Sequence, residues 1–261
     1  MDDSWRTRIE ARFGPGVLDW VQALPDRTAQ LARQWRLTLG PPFAHGSTSR
    51  VIAVRCEDGT PAVLKLSPDP AIVAAEADAL ELWAASATTP TLLARAPDAI
   101  LIEHVAPGTR VRDGDRRPTV AQVAALVAPL HRPVADGRFP PLHERLTFIF
   151  GLAAQRGVDR GLLERGLAAS LELARDGEQQ TLLHGDLHTG NVLWRGADGL
   201  VAIDPRPCVG DPAFDLVDWV LEGDVAPSEQ AQRIAAATGL DAQRLLAWAR
   251  ATAVLTGLGG P

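Results

Sequence analysis

The chain has no tyrosine, a single methionine at position 1, two cysteines and a single lysine. Each shortage excludes something. Cys56 and Cys208 are too few and too far apart for a disulfide framework or a cysteine-based zinc site, so they read as buried, reduced thiols of a cytoplasmic protein. No apolar run approaches the roughly 20 residues that cross a bilayer, which excludes a membrane role. The acidic start, Met1-Asp2-Asp3-Ser4-Trp5, lacks the basic and apolar regions of a signal peptide. There is no internal repeat and no low-complexity linker. A net charge of −6 argues against nucleic acid as the main partner and leaves room for a cationic small molecule. The remaining composition, 46% hydrophobic and 22% charged, is that of an ordinary globular chain. The expectation is a monomer.

The lysine shortage is the most pointed. Against 25 arginines stands Lys65 alone. Arginine dominance of this kind reflects genomic base composition, because the two residues exchange freely on most surfaces. A lysine that survives it marks a place for a compact ammonium rather than a planar fork. Lys65 lies mid-strand in Ala62-Val63-Leu64-Lys65-Leu66, between apolar neighbours. There it either meets anionic company, such as nucleotide α- and β-phosphates with Glu76 as side-chain partner, or snorkels to solvent.

Periodicity places that strand in a small antiparallel sheet. Residues 4–38 read as mostly helical, with Asp26 as N-cap of a segment running to Trp35. Val51–Val54 and Ala62–Leu66 form a hairpin across Glu57-Asp58-Gly59-Thr60. A helix over 70–86 carries Glu76, and strands follow near 91–95 and 99–104. The pattern is helical over 118–131 and 144–176, with a proline-rich loop at 133–142. Short strands at 192–194 and 200–203 precede helices at about 212–222, 227–238 and 241–256. The chain is thus expected to be α+β and bilobal, with a small antiparallel β-sheet lobe carrying one main helix and a larger, mostly helical lobe. The boundaries are 1–104 for the first lobe, 105–109 for a hinge and 110–261 for the second.

The stretch His184-Gly185-Asp186-Leu187-His188-Thr189-Gly190-Asn191, followed by Ile203-Asp204-Pro205, carries the chemistry. Asn191 lies five positions after Asp186, and Asp204 thirteen after Asn191. That spacing suits one proton acceptor and two Mg²⁺ ligands around a nucleoside triphosphate, here ATP. Asp186 would take the proton of an attacking hydroxyl, while Asn191 and Asp204 offer oxygen to a hard cation. The plainer alternatives are a turn aspartate for Asp186 and an Asx turn before Pro205 for Asp204. His184 reads as a support of the loop, and His188 as either support or chemistry.

Four further readings concern residues outside that stretch. Ser47 and Thr48, in a small polar loop, could cover phosphates, although a plain hairpin loop looks the same. Glu103 and Val105 would offer backbone groups to an adenine edge. Asp211 fits a helix N-cap before Pro212, and Asp215 braces the loop through backbone N–H groups. Asp218, Glu222 and Asp224 continue an acidic face that is either simply solvated or attracts a cationic acceptor.

His184–Trp194 (HGDLHTGNVLW) and Ile203–Leu216 (IDPRPCVGDPAFDL) resemble the aminoglycoside phosphotransferase family of small-molecule kinases. Ala99–Gly108, Asp58–Leu66 and Glu76–Trp83 are similar to its streptomycin 6-phosphotransferase and hydroxyurea kinase branch. The resemblance runs from about Trp20 to Trp248. It implies a protein-kinase-like fold and ATP-dependent phosphorylation of a hydroxyl. It also implies roles for Lys65 at the α/β-phosphates, Glu76 as its partner, Asp186 as base, and Asn191 and Asp204 at magnesium. The phosphate-covering loop departs from the family pattern, and the absence of tyrosine removes one usual wall for a sugar ring. A metabolic kinase of the same fold and a nucleotide-binding pseudokinase are the alternatives to an antibiotic kinase.

Overall fold

The computed structural model describes residues 3–44, 49–134, 137–177 and 180–255. Ser47 and Thr48 lie outside the described residues. The chain divides into two compact units, Met1–Ala85 with Pro90–Val105, and Ser86–Thr89 with Ala106–Pro261.

The first unit is built on a five-stranded antiparallel sheet. Its elements are α1 (Asp3–Phe13), a 3₁₀ turn (Pro15–Val17), α2 (Leu18–Gln34), β1 (Thr38–Pro42), β2 (Arg50–Arg55), β3 (Pro61–Leu66), α3 (Pro70–Leu82), β4 (Leu92–Ala96) and β5 (Ala99–Glu103). The strand order is β1-β2-β3-β5-β4. Side chains alternate across the pleat, so Ala62, Leu64 and Leu66 face one way with Ile52, Val54 and Leu101. They pack against Trp5, Ile9, Val21, Leu24 and Leu31 of α1 and α2. On the opposite face Val63, Ile100 and Ile102 meet Val73, Ala77 and Leu80 of α3. A sheet covered on both sides explains why Leu64, Lys65 and Leu66 are buried in succession.

One expectation fails here. Asp26 caps nothing, because α2 runs unbroken from Leu18 to Gln34 with Pro25 inside it. An interior proline costs about 3 kcal/mol. The buried stripe of Val21, Leu24, Thr28 and Leu31 spans both sides of the proline and holds the helix together across it. Of the two thiols, Cys208 is buried, whereas Cys56 is only half-buried at the end of the β2 hairpin arm.

The second unit is mostly helical: α4 (Val120–Val127), α5 (Leu142–Gln155), α6 (Arg160–Arg175), α7 (Val217–Leu221), α8 (Pro227–Thr238) and α9 (Ala242–Thr252). The helix expected over 144–176 is two helices. Gly157 turns the chain with φ +79°, and Asp159 restarts it by accepting the Leu162 N–H at 2.8 Å. Two small sheets complete the unit. β6 (Pro107–Arg110), β8 (Val192–Arg195) and β9 (Gly199–Ala202) form one, and β7 (Thr181–Leu183) with β10 (Cys208–Gly210) forms the other. The α+β architecture is the expected one.

The β7/β10 pair is tied into the helices at a close approach. A Cβ on Gly210 would stand 2.5 Å from the Leu142 Cβ, so the first turn of α5 can lie on β10 only because residue 210 has no side chain. The Val209 N–H donates to the Pro140 carbonyl at 2.9 Å, just before that turn. Leu142, Leu146, Phe150 and Ala153 then recur on the buried face of α5. Beyond β10, Asp211 accepts the Trp248 indole N–H at 2.6 Å and a guanidinium bond from Arg244, which fastens it to α9. Among the described residues no helix is long and apolar enough to cross a membrane.

Candidate active site

β7 leads directly into the loop that holds Asp186, and the loop's shape follows from three constraints. Gly185 takes φ +75°, and a Cβ there would collide with the Arg206 carbonyl oxygen. Only glycine fits between His184 and Asp186. Asp215 then receives the loop's backbone: its carboxylate accepts the His184 N–H at 2.7 Å and the Gly185 N–H at 2.8 Å. His131 adds a third bond to the same carboxylate, Nε2 to Oδ2 at 3.1 Å. Burial alone would push the Asp215 carboxyl up, but these hydrogen bonds and the nearby imidazoles hold it below the ordinary carboxylate range.

His184 is fully buried, and its Nε2–H donates to the Ile203 carbonyl at 3.0 Å. Burial holds its pKa down, so the ring is neutral at pH 7 and links the loop to the residue before Asp204. His188 caps the 3₁₀ turn Thr189–Asn191, its Nδ1 accepting the Gly190 N–H at 3.0 Å. Arg112 Nη2 approaches the same nitrogen at 3.3 Å. With donors on Nδ1, the proton sits on Nε2; burial first and Arg112 next keep this ring neutral too.

The β8–β9 hairpin sets the spacing of the remaining groups. Val192 pairs with Ala202, and the Ile203 N–H donates to the Asn191 carbonyl at 2.9 Å. That register places Asp204 one residue beyond the partner of Asn191. Asp204 has φ +57°, an uncommon conformation for a residue with a side chain. The Asn191 Nδ2 donates to the Asp186 carbonyl at 2.9 Å and to its Oδ2 at 3.2 Å. With the amide nitrogen committed, Oδ1 is the hard donor Asn191 presents. Local hydrogen bonds therefore bring Asp186 and Asn191 together, and the hairpin register sets the Asp204 backbone one residue beyond them.

Asp186 is also held from α5. Arg145 Nη2 donates to Oδ1 at 2.8 Å, and Arg145 Nε to the Gly185 carbonyl at 3.0 Å. Burial acts to raise the Asp186 carboxyl, and Arg145, His188 and Arg206 outweigh it, so the group lies below the ordinary range. Its side chain is 36% exposed and remains open to solvent. On α7, Asp218 is half-buried, and its carboxyl is pushed up to about 7 by burial, then by Glu222 and Asp186. Glu222 accepts the Thr189 hydroxyl at 2.8 Å, and Trp219 donates its indole N–H to the Leu187 carbonyl at 2.9 Å. Asp224 lies farther off, 3.9 Å from the Arg233 guanidinium. Among the described residues no group of three or more His, Cys, Asp or Glu side chains converges as a metal centre.

In the first unit, Lys65 Nζ and Glu76 Oε2 stand 2.5 Å apart, with 5% and 2% of their side chains exposed. β3 and α3 bring them together on the α3 face of the sheet. The Glu103 carboxylate is engaged by Thr91, from N at 3.1 Å and Oγ1 at 3.2 Å, and Val105 is buried at the end of the unit. Reading the sequence missed Arg145, Arg112, His131 and Trp219, which reach the loop from other elements. Arg145 is one of 25 arginines and sits in no motif, so nothing in the sequence distinguished it.

Comparison with known proteins identifies the family. A hydroxyurea phosphotransferase of Kitasatospora aureofaciens is 34% identical over 254 residues, covering 92% of this chain and 74% of that protein. A streptomycin 6-kinase of Streptomyces glaucescens is 33% identical over 215 residues, covering 78% and 69%. Among solved structures, a macrolide 2'-phosphotransferase of Brachybacterium faecium superposes with a TM-score of 0.63 at 22% identity, covering 88% of this chain and 89% of that one. It shares the protein-kinase-like fold. The family model of the aminoglycoside/hydroxyurea antibiotic resistance kinases matches residues 34–259, and the chain, a phosphotransferase, belongs to that family.

Proposed function

We propose that the protein transfers the γ-phosphate of ATP to a hydroxyl of a small acceptor, a streptomycin-type aminoglycoside phosphorylated at its 6-hydroxyl. The observation that carries the reading is the contact of Asn191 with Asp186, and the hairpin register, with Ile203 bonded to Asn191, supports the assignment of Asp204. In the step, the acceptor oxygen attacks the γ-phosphorus and the bond to the β,γ-bridging oxygen breaks. ADP leaves with that electron pair, and the hydroxyl proton passes to Asp186.

Asn191 and Asp204 are the residues that would hold Mg²⁺. Their oxygen donors fit a hard cation that shares its coordination with water and phosphate. When bound, the ion neutralises charge on the triphosphate. His184 and Asp215 keep the loop in shape. Lys65, fixed by Glu76, is assigned to the α- and β-phosphates, Ser47 and Thr48 to covering them, and the backbone of Glu103 and Val105 to adenine. The region up to residue 104 is thus the nucleotide lobe, 105–109 the hinge, and the region from 110 the catalytic and acceptor lobe. Asp218 and Glu222 are assigned to the acceptor's cationic groups. The reading is of a monomer acting in the cytoplasm.

A second reading, a small neutral acceptor such as hydroxyurea, is favoured by Arg145 and Arg112. Both guanidinium groups stand on the same loop and oppose a polycation. Incubation with Mg-ATP and either streptomycin or hydroxyurea separates the two by the mass of the product. Phosphorylated streptomycin is expected. Transfer to hydroxyurea alone selects the second reading, and transfer to neither overturns both acceptor assignments.

A further inference from the structure

We propose that Arg145 is the positioning residue for the phosphoryl-transfer step, holding the Asp186 carboxylate in the one orientation from which it can meet an acceptor hydroxyl. The proposal rests on the reading of Asp186 as the base. It arises from a residue outside every motif in the chain.

Three observations carry it. First, one guanidinium grips two parts of the loop, the Gly185 carbonyl at 3.0 Å and the Asp186 Oδ1 at 2.8 Å. A fork with fixed N–H directions sets the backbone before Asp186 and the rotation of its carboxylate together. Second, the other carboxylate oxygen is held from the opposite side by Asn191 Nδ2 at 3.2 Å. A carboxylate accepts about four hydrogen bonds. Clamping each oxygen once fixes its plane and leaves lone pairs for a substrate proton.

Third, Arg145 is itself held. It lies one turn into α5, whose start is locked on β10 through Leu142 against Gly210. β10 pairs with β7, Cys208 opposite Leu183, and β7 runs into His184 and Asp186. Arginine and aspartate are thus carried by one scaffold. The guanidinium carbon stands 5.8 Å from the centroid of the Phe148 ring, one turn further along α5, and only 12% of the Arg145 side chain is exposed. A long side chain restrained in this way loses little entropy when it binds. It resists the misplacement of about 1 Å that can cost about 10²-fold in rate.

The test compares Arg145→Ala, Arg145→Lys, Asp186→Asn and the double variant Arg145→Ala/Asp186→Asn. The readouts are Mg-ATP turnover with streptomycin, with hydroxyurea and with water as acceptor, plus thermal melting. Arg145→Ala is expected to lower kcat about 10²-fold while leaving KM for ATP unchanged. Arg145→Lys, with charge but no fork, should restore only part of the rate, and added guanidinium chloride should rescue Arg145→Ala but not Asp186→Asn. In the Asp186→Asn background, removing Arg145 should cost nothing further. Should Arg145→Ala fail to fold, Arg145→Lys decides: kcat within twofold of the wild type overturns the proposal. Asp186→Asn with full turnover would instead overturn the base assignment itself. An inactive Asp186→Asn beside a fully active Arg145→Ala would sink the positioning role alone.

Discussion

Two ion pairs of similar composition occupy the two units, and their surroundings differ. Lys65–Glu76 is sealed between β3 and α3, with almost no solvent on either partner. Arg145–Asp186 has its cation largely covered and its carboxylate more than a third exposed. In the first, water scarcely reaches either charge, so each is held in place by its surroundings and removing one is costly to the other. In the second, the carboxylate keeps one side open, so it can be oriented by a fixed partner and still accept a proton from outside. The sealed pair suits a fixed charge presented to a phosphate, and the open pair suits a reacting group.

That contrast can be broken by deletion. Glu76→Ala should destabilise the protein by about 3–5 kcal/mol, because it takes a carboxylate away from a buried ammonium. Arg145→Ala should cost only about 1 kcal/mol, since the Asp186 carboxylate can turn to water. Chemical denaturation of both variants measures this, and equal losses would abolish the distinction.

A smaller effect concerns the open pair's neighbourhood. Asp218 has its carboxyl pushed up to about 7 in the folded protein, by burial first and then by Glu222 and Asp186, with Arg112 opposing. A raised folded pKa means stability is fully present at low pH and is lost as pH rises through about 7. Asp218→Asn is neutral in both states, so its gain in melting temperature over the wild type should grow between pH 5 and pH 8. A gain independent of pH would show that Asp218 ionises normally in the folded state.

The smallest effect sharpens the comparison most. Salt at about 1 M shortens the screening length to about 3 Å and weakens pairs that solvent can reach. Double-mutant cycles should show the Arg145–Asp186 coupling falling by a few tenths of a kcal/mol between low and high salt. The Lys65–Glu76 coupling should hold steady.

What the sequence disclosed about these pairs follows from distance along the chain. Lys65 and Glu76 are eleven residues apart, and a rare residue in an apolar strand followed by an acidic helix was legible. Asp186, Asn191 and Asp204 lie within one loop and one hairpin, so spacing alone pointed to their meeting. Arg145 is 41 residues before Asp186, in a segment whose helical pattern was visible but whose docking depends on Gly210 lying bare under Leu142. No local pattern records such a contact. β7 and β10, three residues each, are too short for an alternation to show. Asp26 failed as a helix N-cap for the converse reason, since the buried stripe carries α2 straight through Pro25 and overrides the local signal.

The match to the kinase family begins at residue 34, yet α1 and α2 supply Trp5, Ile9, Val21, Leu24 and Leu31 to the interior of the first unit. The stretch matched by the family model therefore begins inside a hydrophobic core. A protein trimmed to the matched residues would keep every residue of the proposed chemistry while baring Leu64, Leu66 and Leu101, and a sheet so stripped is a site for aggregation. The segment outside the family match is thus the one that covers an apolar face of the first unit's sheet.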